Sequence, residues 1–283
     1  MTRMQHRPLL RLVPTESILF HEHPERSRTL RLLQRIRQEK LLRNPPIVTQ
    51  LDAENFLLLD GANRISSFRE LGYTQCPVQV IDYGDPAVQL KGWHHLLLEG
   101  HALQLETAYR SIPGVDLRPV EPEAIGTLLE SRRAFAVLVD ATARCWALFP
   151  PSGKSGLLIG EWIRVLGQVV TAYEGKAALE RIKMAEYSGL PSIFDSLEHQ
   201  LVLFPLLTKT ELLELARLRI LMPTGITRHL VPGRALAMNL GLDFLSELGS
   251  EAERSEHFAK FLDRLEVEGR IRYYEEAVFI LNE

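Results

Sequence analysis

Hydrophobic and polar residues change their spacing several times along the N-terminal part of the chain. Short apolar runs rich in β-branched residues predict strands, and apolar residues three or four positions apart predict helices. The predicted order is strand, helix, two strands, helix and strand, which is typical of a compact α/β unit. These segments are Leu9–Val13, Leu30–Leu42, Ile47–Thr49, Phe56–Leu59, Arg64–Leu71 and Val78–Tyr83.

The chain becomes proline-rich between Ile112 and Pro122, and a domain boundary is predicted there. The predicted domains are therefore residues 1–112 and 113–283. Beyond the boundary, strands and helices do not alternate regularly, which favours an α+β domain. The predicted strands are Phe135–Val139, Cys145–Phe149 and Glu198–Phe204, the helices are Leu157–Tyr173, Thr210–Arg217 and Glu253–Glu268, and a terminal hairpin pairs Arg270–Tyr274 with Ala277–Leu281.

Polar residues, prolines and glycines predict where the helices begin and end. Ser27 and Thr29 are candidate caps for the first helix, and Thr210 is the candidate cap for a later one. Asn44-Pro45-Pro46 must end the first helix, because proline lacks the amide hydrogen that a helix needs. Gly269 is placed to end the last helix.

Composition and charge exclude several classes of protein. Of the 283 residues, 46% are hydrophobic and 24% are charged, as in an ordinary soluble globular protein. With 33 basic and 36 acidic side chains the formal charge is −3, so nucleic acid is not an expected partner of the whole molecule. Two cysteines cannot build a disulfide framework, and no apolar run is long enough for a membrane span. A cytoplasmic protein without a membrane partner is therefore expected.

The segment from Leu57 to Arg64 carries the most informative chemistry. An apolar strand ends in Asp60, and Gly61, Ala62 and Asn63 follow at the first turn of a predicted helix. Helix starts expose unpaired amides with partial positive charge, so they attract phosphate groups. Asp60, at the carboxyl end of a strand, is placed to bind a metal ion or a ribose, or to move a proton. The same spacing also fits a simple helix cap with a solvated arginine.

The run DGANRISSFRELGYTQCPVQVI resembles the signature of the ParB/sulfiredoxin-like superfamily. The resemblance extends over roughly the first 95 residues, through the segments LVPTESILFHE, RNPPIVT, LLLDGANR, CPVQVID and GWHH in this order. It implies an α/β architecture with a ParB/sulfiredoxin-like, nucleotide-binding N-terminal domain and a second α+β domain that completes the substrate site. The active site is then expected in the cleft between the two domains.

Two branches of this superfamily fit the sequence less well than a third. A sulfiredoxin needs a nucleophilic cysteine where this chain has Ala62, which carries no thiol. A ParB-type partition protein has Glu and Arg where this chain has Ala62 and Asn63, and no basic recognition helix is evident after Gly100. A ParB-like nucleotide-binding regulatory or DNA-binding protein without kinase activity remains the alternative.

The third branch is the free L-serine kinases, similar to those that make siderophore precursors. The shared features are His-Glu before an arginine-rich helix, the Asn-Pro-Pro turn, the DGxxR loop and the later TRHxxPxR segment. This resemblance implies a Mg²⁺-dependent phosphotransferase that uses ATP or ADP to convert free L-serine into O-phospho-L-serine. The protein ligands of the metal stay unassigned at this stage.

The resemblance also implies a set of site residues. The catalytic pair is Glu22, as the base that takes the serine hydroxyl proton, and Asp60, which holds Mg²⁺ or orients the hydroxyl. The implied nucleotide and phosphate contacts are Gly61, Ala62, Asn63 and Arg64, and the implied substrate contacts are Trp93, Thr227, Arg228, His229 and Arg234. Asn63 stands where the family has a histidine, so this loop carries less positive charge. From the residues alone, Glu22 and the polar turn before His229 are also typical of an exposed surface.

Overall fold

The computed structural model describes residues 7–151, 158–183, 193–247 and 249–273. Its strands are β1 (Leu9–Pro14), β2 (Ile18–Leu19), β3 (Leu41–Leu42), β4 (Ile47–Gln50), β5 (Phe56–Asp60), β6 (Gln75–Ile81), β7 (Gln89–Gly92), β8 (His94–Leu97), β9 (Asp116–Val120), β10 (Ala136–Asp140), β11 (Cys145–Phe149), β12 (Leu179–Ile182), β13 (Gln200–Leu203), β14 (Thr227–Leu230) and β15 (Leu240–Gly241). Its α-helices are α1 (Arg26–Glu39), α2 (Ala62–Glu70), α3 (Leu105–Arg110), α4 (Ile125–Glu130), α5 (Ile159–Thr171), α6 (Lys209–Arg217), α7 (Phe244–Glu247) and α8 (Glu251–Val267).

The chain divides into two compact units whose bounds differ from the predicted domains. Unit 1 comprises Met1–Gln89 and Val231–Glu283, and unit 2 comprises Leu90–Leu230. The prediction divided the chain once, into 1–112 and 113–283, whereas the chain returns to unit 1 after β14. Antiparallel pairing of β15 with β3 holds the returning segment in unit 1. Pairing between strands so far apart leaves no local signal in the sequence.

Unit 1 is built on a five-stranded mixed sheet in the order β1-β6-β4-β5-β2. The pairs β4–β6 and β2–β5 are parallel, while β1–β6 and β4–β5 are antiparallel. Its core joins Val48 and Leu58 of the sheet to Phe68 of α2 and to Phe244 and Phe258 of the C-terminal helices. The apolar residues of the returning segment are therefore part of the same core as the N-terminal α/β fold.

Unit 2 is built on a six-stranded antiparallel sheet in the order β12-β8-β13-β10-β11-β9. All five residues of β10 are buried, because this strand lies in the middle of the sheet. Its core includes Val137, Leu201 and Ile125. A separate two-stranded ribbon pairs β7 with β14. The predicted mixed α/β class, with a second α+β unit, is confirmed.

The predicted bounds of the first helix were wrong at both ends. The helix begins at Arg26 rather than Leu30, and the side chain of Asn63 accepts a hydrogen bond from the Glu25 amide just before it. Ser27 and Thr29 therefore lie inside the helix and are not its caps. It ends at Glu39 because Lys40 adopts a left-handed conformation and the next two residues form β3.

The strands and helices predicted between Phe135 and Glu268 were confirmed with small changes in their bounds, whereas the first strand of the terminal hairpin was not. Helix α6 is capped by Thr208, which forms a reciprocal pair of bonds with Glu211, rather than by Thr210. Gly269 follows α8 with a positive φ, as predicted. Of the predicted terminal hairpin, 270–273 is not a strand and the rest lies outside the described residues. None of the helices among the described residues is long and apolar enough to cross a membrane.

Candidate active site

Glu22 lies near the carboxyl end of β5 because its segment is attached to that strand. Strands β2 and β5 run parallel, so the chain leaves both at the same edge of the sheet. His21 is buried, and its Nδ1 lies 2.6 Å from the carbonyl oxygen of Leu58 in β5. Since a carbonyl oxygen only accepts, Nδ1–H is the donor. This bond holds His21, the residue before Glu22, against Leu58 of β5. Leu58 lies two residues before Asp60.

The second ring nitrogen of His21 lies near the carboxylate of Glu22, the predicted base. His21 Nε2 lies 3.9 Å from Glu22 Oε2, and the Glu22 side chain is 22% exposed. His21 is buried, and its bond to Leu58 anchors the segment that carries Glu22.

Asp60 ends β5 and lies between two arginines. Arg64 Nη2 is 3.0 Å from Asp60 Oδ2, and Arg234 Nη2 contacts the same oxygen. Burial alone raises the pKa of Asp60, but the two guanidiniums outweigh it and lower the pKa below its ordinary value. The carboxylate is therefore ionised at neutral pH.

Arg64 also binds the Asn-Pro-Pro turn. Its Nη1 donates to the carbonyl oxygens of Asn44, at 2.8 Å, and Pro45, at 3.0 Å. The sequence predicted a phosphate contact for Arg64 and a helix stop for the turn. The structure places the guanidinium against both the turn and Asp60, so Arg64 braces the loop at the start of α2. Its phosphate contact stays a prediction.

Gly61 precedes α2 in a conformation that favours glycine, with φ of 108°. A Cβ at this position would lie 3.0 Å from both Arg64 Nε and Pro46 Cβ. Gly61→Ala is expected to destabilise unit 1 by about 1–2 kcal/mol from the backbone conformation, with a further cost from the two close contacts. Urea unfolding monitored by circular dichroism measures the difference.

Gly72→Ala is the matched control for this substitution. Gly72 also has a positive φ, of 79°, but a Cβ there meets no atom within 4 Å. We expect Gly72→Ala to cost less than Gly61→Ala. Equal losses of unfolding free energy for the two variants would contradict the close packing assigned to Gly61.

The next two loop residues have structural contacts of their own. Ala62 is the first residue of α2 and is packed, partly buried, against the core of unit 1. Asn63 Oδ1 accepts from the Glu25 amide at 2.9 Å and from the Thr29 hydroxyl at 3.0 Å. Because the amide is only a donor, the atom facing it must be the Asn63 oxygen. Asn63 thus joins α2 to the start of α1, and its predicted phosphate contact stays a prediction.

The predicted substrate residues divide between the two units. Arg234 belongs to unit 1, where it contacts Asp60, although the sequence placed its segment in the second domain. The others belong to unit 2, where the Trp93 amide donates to the Ile226 carbonyl at 2.8 Å. The guanidinium carbon of Arg228 lies 4.8 Å from the centre of the Trp93 ring. Thr227 and His229 alternate with Arg228 along β14 and are both buried.

A buried histidine supports the turn before β14. His95 Nε2 lies 2.9 Å from the Gly225 carbonyl oxygen and therefore donates to it, so Nδ1 accepts from the Tyr173 hydroxyl at 2.7 Å. Burial lowers the pKa of His95 to about 4, so the ring is neutral at physiological pH. The sequence pointed to this region only through the Trp93-His94-His95 run. The supporting role needs the strand pairing and was not predictable.

The two cysteines have the properties of packing residues. Both are free and buried. Burial raises the pKa of Cys76, and it raises the pKa of Cys145 to about 11. Neither thiol is a ready nucleophile, in agreement with the sequence argument against sulfiredoxin chemistry. Within the described ranges, no group of three or more His, Cys, Asp or Glu side chains is arranged to hold a metal ion.

Proteins similar in sequence to this chain include L-serine kinases. No protein-family model matches the chain. An ATP-dependent L-serine kinase from Staphylothermus marinus is 24% identical over 237 residues, which cover 83% of this chain and 90% of that enzyme. The ATP-dependent L-serine kinase SbnI from Staphylococcus aureus is 22% identical over 275 residues, 97% of each chain.

The fold is shared with a solved structure as well. A free serine kinase in complex with AMP matches with a TM-score of 0.69 at 16% identity, over 85% of this chain and 95% of that chain. The resemblance drawn from the sequence motifs is thereby confirmed. The chain is similar in sequence to ATP-dependent L-serine kinases along most of its length, and it has the fold of a free serine kinase.

Proposed function

We propose that the protein is a kinase that phosphorylates free L-serine, with ATP as the donor. The observation that carries this proposal is the arrangement at one edge of the unit 1 sheet. There an ionised Asp60 is held by Arg64 and Arg234, and the segment with Glu22 is anchored to the same strand. Similarity to L-serine kinases over most of the chain supports it. These relatives do not favour the alternative of a regulator without kinase activity.

Glu22 is the proposed base. A serine hydroxyl is a weak nucleophile, so a carboxylate placed to accept its proton increases its reactivity as the oxygen attacks. The hydroxyl oxygen forms a bond to the terminal phosphorus of ATP, the bond from that phosphorus to ADP breaks, and the proton passes to the Glu22 carboxylate. Anchoring of the adjacent His21 on Leu58 supports this role, because a base must be held in place to act.

The start of α2 is the proposed phosphate site. Its first amides have no partner within the helix, and Gly61 supplies the left-handed backbone conformation that leads into it. Arg64 and Arg234 supply positive charge to the same region, where the transferred group carries negative charge. The predicted contacts of Ala62 and Asn63 fit this site through their backbone amides.

Mg²⁺ is the proposed metal cofactor. Asp60 fits as a ligand, because its carboxylate is ionised and partly exposed, and Arg64 and Arg234 both contact one of its oxygens, Oδ2. Mg²⁺ prefers carboxylate oxygens together with nucleotide phosphates, and it neutralises charge on those phosphates. With Asp60 as its proposed protein ligand, the metal would be held largely by the nucleotide.

The serine-binding residues proposed in unit 2 are Trp93, Thr227, Arg228 and His229. The guanidinium of Arg228 and the ammonium group of Lys183 both lie over the Trp93 ring. Such a cationic surface suits the carboxylate of an amino acid.

The cytoplasm is the proposed site of action. Use of a nucleotide and the presence of two unpaired cysteines support it.

Acceptor-dependent nucleotide turnover tests the proposal and its specificity. We expect ATP consumption to rise when L-serine is added, and to rise much less with D-serine or L-threonine. Repeating the assay with ADP in place of ATP identifies the donor. Nucleotide turnover that is the same with and without L-serine, in protein shown by calorimetry to bind nucleotide, would contradict a serine kinase.

A further inference from the structure

A buried glutamine holds the backbone on both sides of Arg234. Gln79 lies in β6 and is 3% exposed. Its side-chain Nε2 donates to the carbonyl oxygen of Gly233 at 2.9 Å, and its Oε1 accepts from the amide of Ala235 at 2.8 Å. One side-chain amide thus satisfies a donor and an acceptor that flank a single residue, Arg234.

The same glutamine is connected to the second arginine of the site. The backbone amide of Gln79 donates to the carbonyl oxygen of Pro46 at 2.8 Å. The adjacent carbonyl, that of Pro45, accepts from Arg64. Gln79 therefore contacts both the segment that carries Arg234 and the turn that binds Arg64, and both arginines meet at Asp60.

We propose that Gln79 is a positioning residue for phosphoryl transfer, which acts by fixing the Arg234 guanidinium on Asp60. This inference rests on the proposed kinase function. Arg234 lies on a segment that returns from the distant part of the chain, and Gly233 before it has a positive φ of 62°. A backbone held by a rigid strand keeps a long side chain in one place more precisely than a loop alone.

Only an amide side chain of this length supplies both bonds. A carboxylate accepts but does not donate, and an apolar side chain does neither. Gln79→Met keeps the size of the side chain and removes both hydrogen bonds. It leaves the Gly233 carbonyl and the Ala235 amide without this partner, and it frees the Arg234 backbone to move.

Gln75 provides a matched control in the same strand. It is also 3% exposed, and its Oε1 accepts from Arg254 Nε at 2.7 Å, outside the segment of Arg234. We expect Gln79→Met to lower kcat/KM for serine phosphorylation by about 10- to 100-fold, with most of the loss in kcat. We expect Gln75→Met to keep activity and to lower only the stability. Equal activity of the two variants would overturn the positioning role.

A double-mutant cycle tests whether the effect passes through Arg234. In an Arg234→Ala background, Gln79→Met is expected to cause little further loss, because its target is already absent. Losses that multiply would overturn the proposed route. Amide exchange gives a second readout, since the Ala235 amide should exchange faster in Gln79→Met than in Gln75→Met. An unchanged exchange rate of the Ala235 amide would contradict the hydrogen bond by which Gln79 holds this backbone.

Two further comparisons keep the outcome unambiguous. If Gln79→Met does not fold, Gln79→Asn is used instead, because it keeps the amide and shortens it by one methylene. Wild-type protein that makes no phosphoserine would contradict the proposed function, but not the contacts of Gln79 with the Arg234 segment. Active wild-type protein with a fully active Gln79 variant would contradict the positioning role alone.

Discussion

Replacing Glu22 by Gln is expected to lower phosphoserine formation by about 10²- to 10⁴-fold. The amide keeps the shape of the side chain but cannot take the hydroxyl proton. His21, which anchors this segment through the Leu58 carbonyl, is unchanged in the variant, so the fold should be retained. Initial rates of phosphoserine formation and the circular dichroism spectrum measure both expectations. Nucleotide affinity, measured by calorimetry, should change little.

Glu54→Gln is the matched control for Glu22→Gln. Glu54 is exposed in the turn between β4 and β5, at the opposite end of β5 from Asp60. We expect this variant to have wild-type activity. If Glu22→Gln retains activity comparable to Glu54→Gln, Glu22 is not the base.

Replacing Asp60 by Asn is expected to lower kcat/KM by about 10²-fold or more. The substitution removes the charge that Arg64 and Arg234 share, so Arg234 loses the carboxylate it contacts, while Arg64 keeps its bonds to the Asn44 and Pro45 carbonyls. It also removes the proposed carboxylate ligand of Mg²⁺. Steady-state kinetics at several Mg²⁺ concentrations measure the loss, and a higher Mg²⁺ requirement is expected if Asp60 contributes to metal binding.

Asp140→Asn is a close control, because Asp140 forms a similar ion pair at the end of a strand in unit 2. It ends β10 and pairs with Arg144 four residues later, as Asp60 ends β5 and pairs with Arg64. Burial raises the pKa of both carboxyls, but it is outweighed by the two guanidiniums at Asp60 and by hydrogen bonds from Thr142 and Arg144 at Asp140, so both pKa values are lowered. Asp140→Asn should lower stability and leave activity near wild type. Similar kinetic losses in both variants would show that Asp60 acts only through the fold.

The two ion pairs also predict a pH dependence of stability. A carboxyl with a lowered pKa in the folded state binds fewer protons there than in the unfolded chain. Its stabilising contribution is therefore complete above the ordinary carboxyl pKa and is lost as the pH falls through the lowered value. The difference in unfolding free energy between wild type and either Asn variant should shrink only in that acidic range.

Much of the fold of unit 1 follows from local patterns in the sequence. The apolar run before Asp60 indicates β5, and the glycine after it indicates the start of α2. Both features are decided by neighbouring residues, so a single sequence is enough to predict them. The start of α1 is different, because the amide of its N-cap residue Glu25 donates to the side chain of Asn63, which lies far along the chain and gives no local signal.

The sequence identified several residues of the site but not the contacts that they make. The DGxxR loop indicated Asp60 and Arg64, but the contact of Arg64 with the Asn44 and Pro45 carbonyls depends on how the turn folds against α2. The contact of Arg234 with Asp60 depends on β15 pairing with β3. In the sequence, Gln79 is only a polar residue within an apolar strand. This pattern indicates a buried hydrogen-bonding group but does not identify its partner.

³¹P NMR of the protein with L-serine, ATP and Mg²⁺ distinguishes phosphorylation of serine from simple hydrolysis of ATP. We expect the resonance of O-phospho-L-serine to grow as that of the terminal phosphate of ATP declines, with ADP as the second product. An ATP spectrum that stays constant while the protein binds the nucleotide, or one that yields inorganic phosphate without phosphoserine, would contradict it.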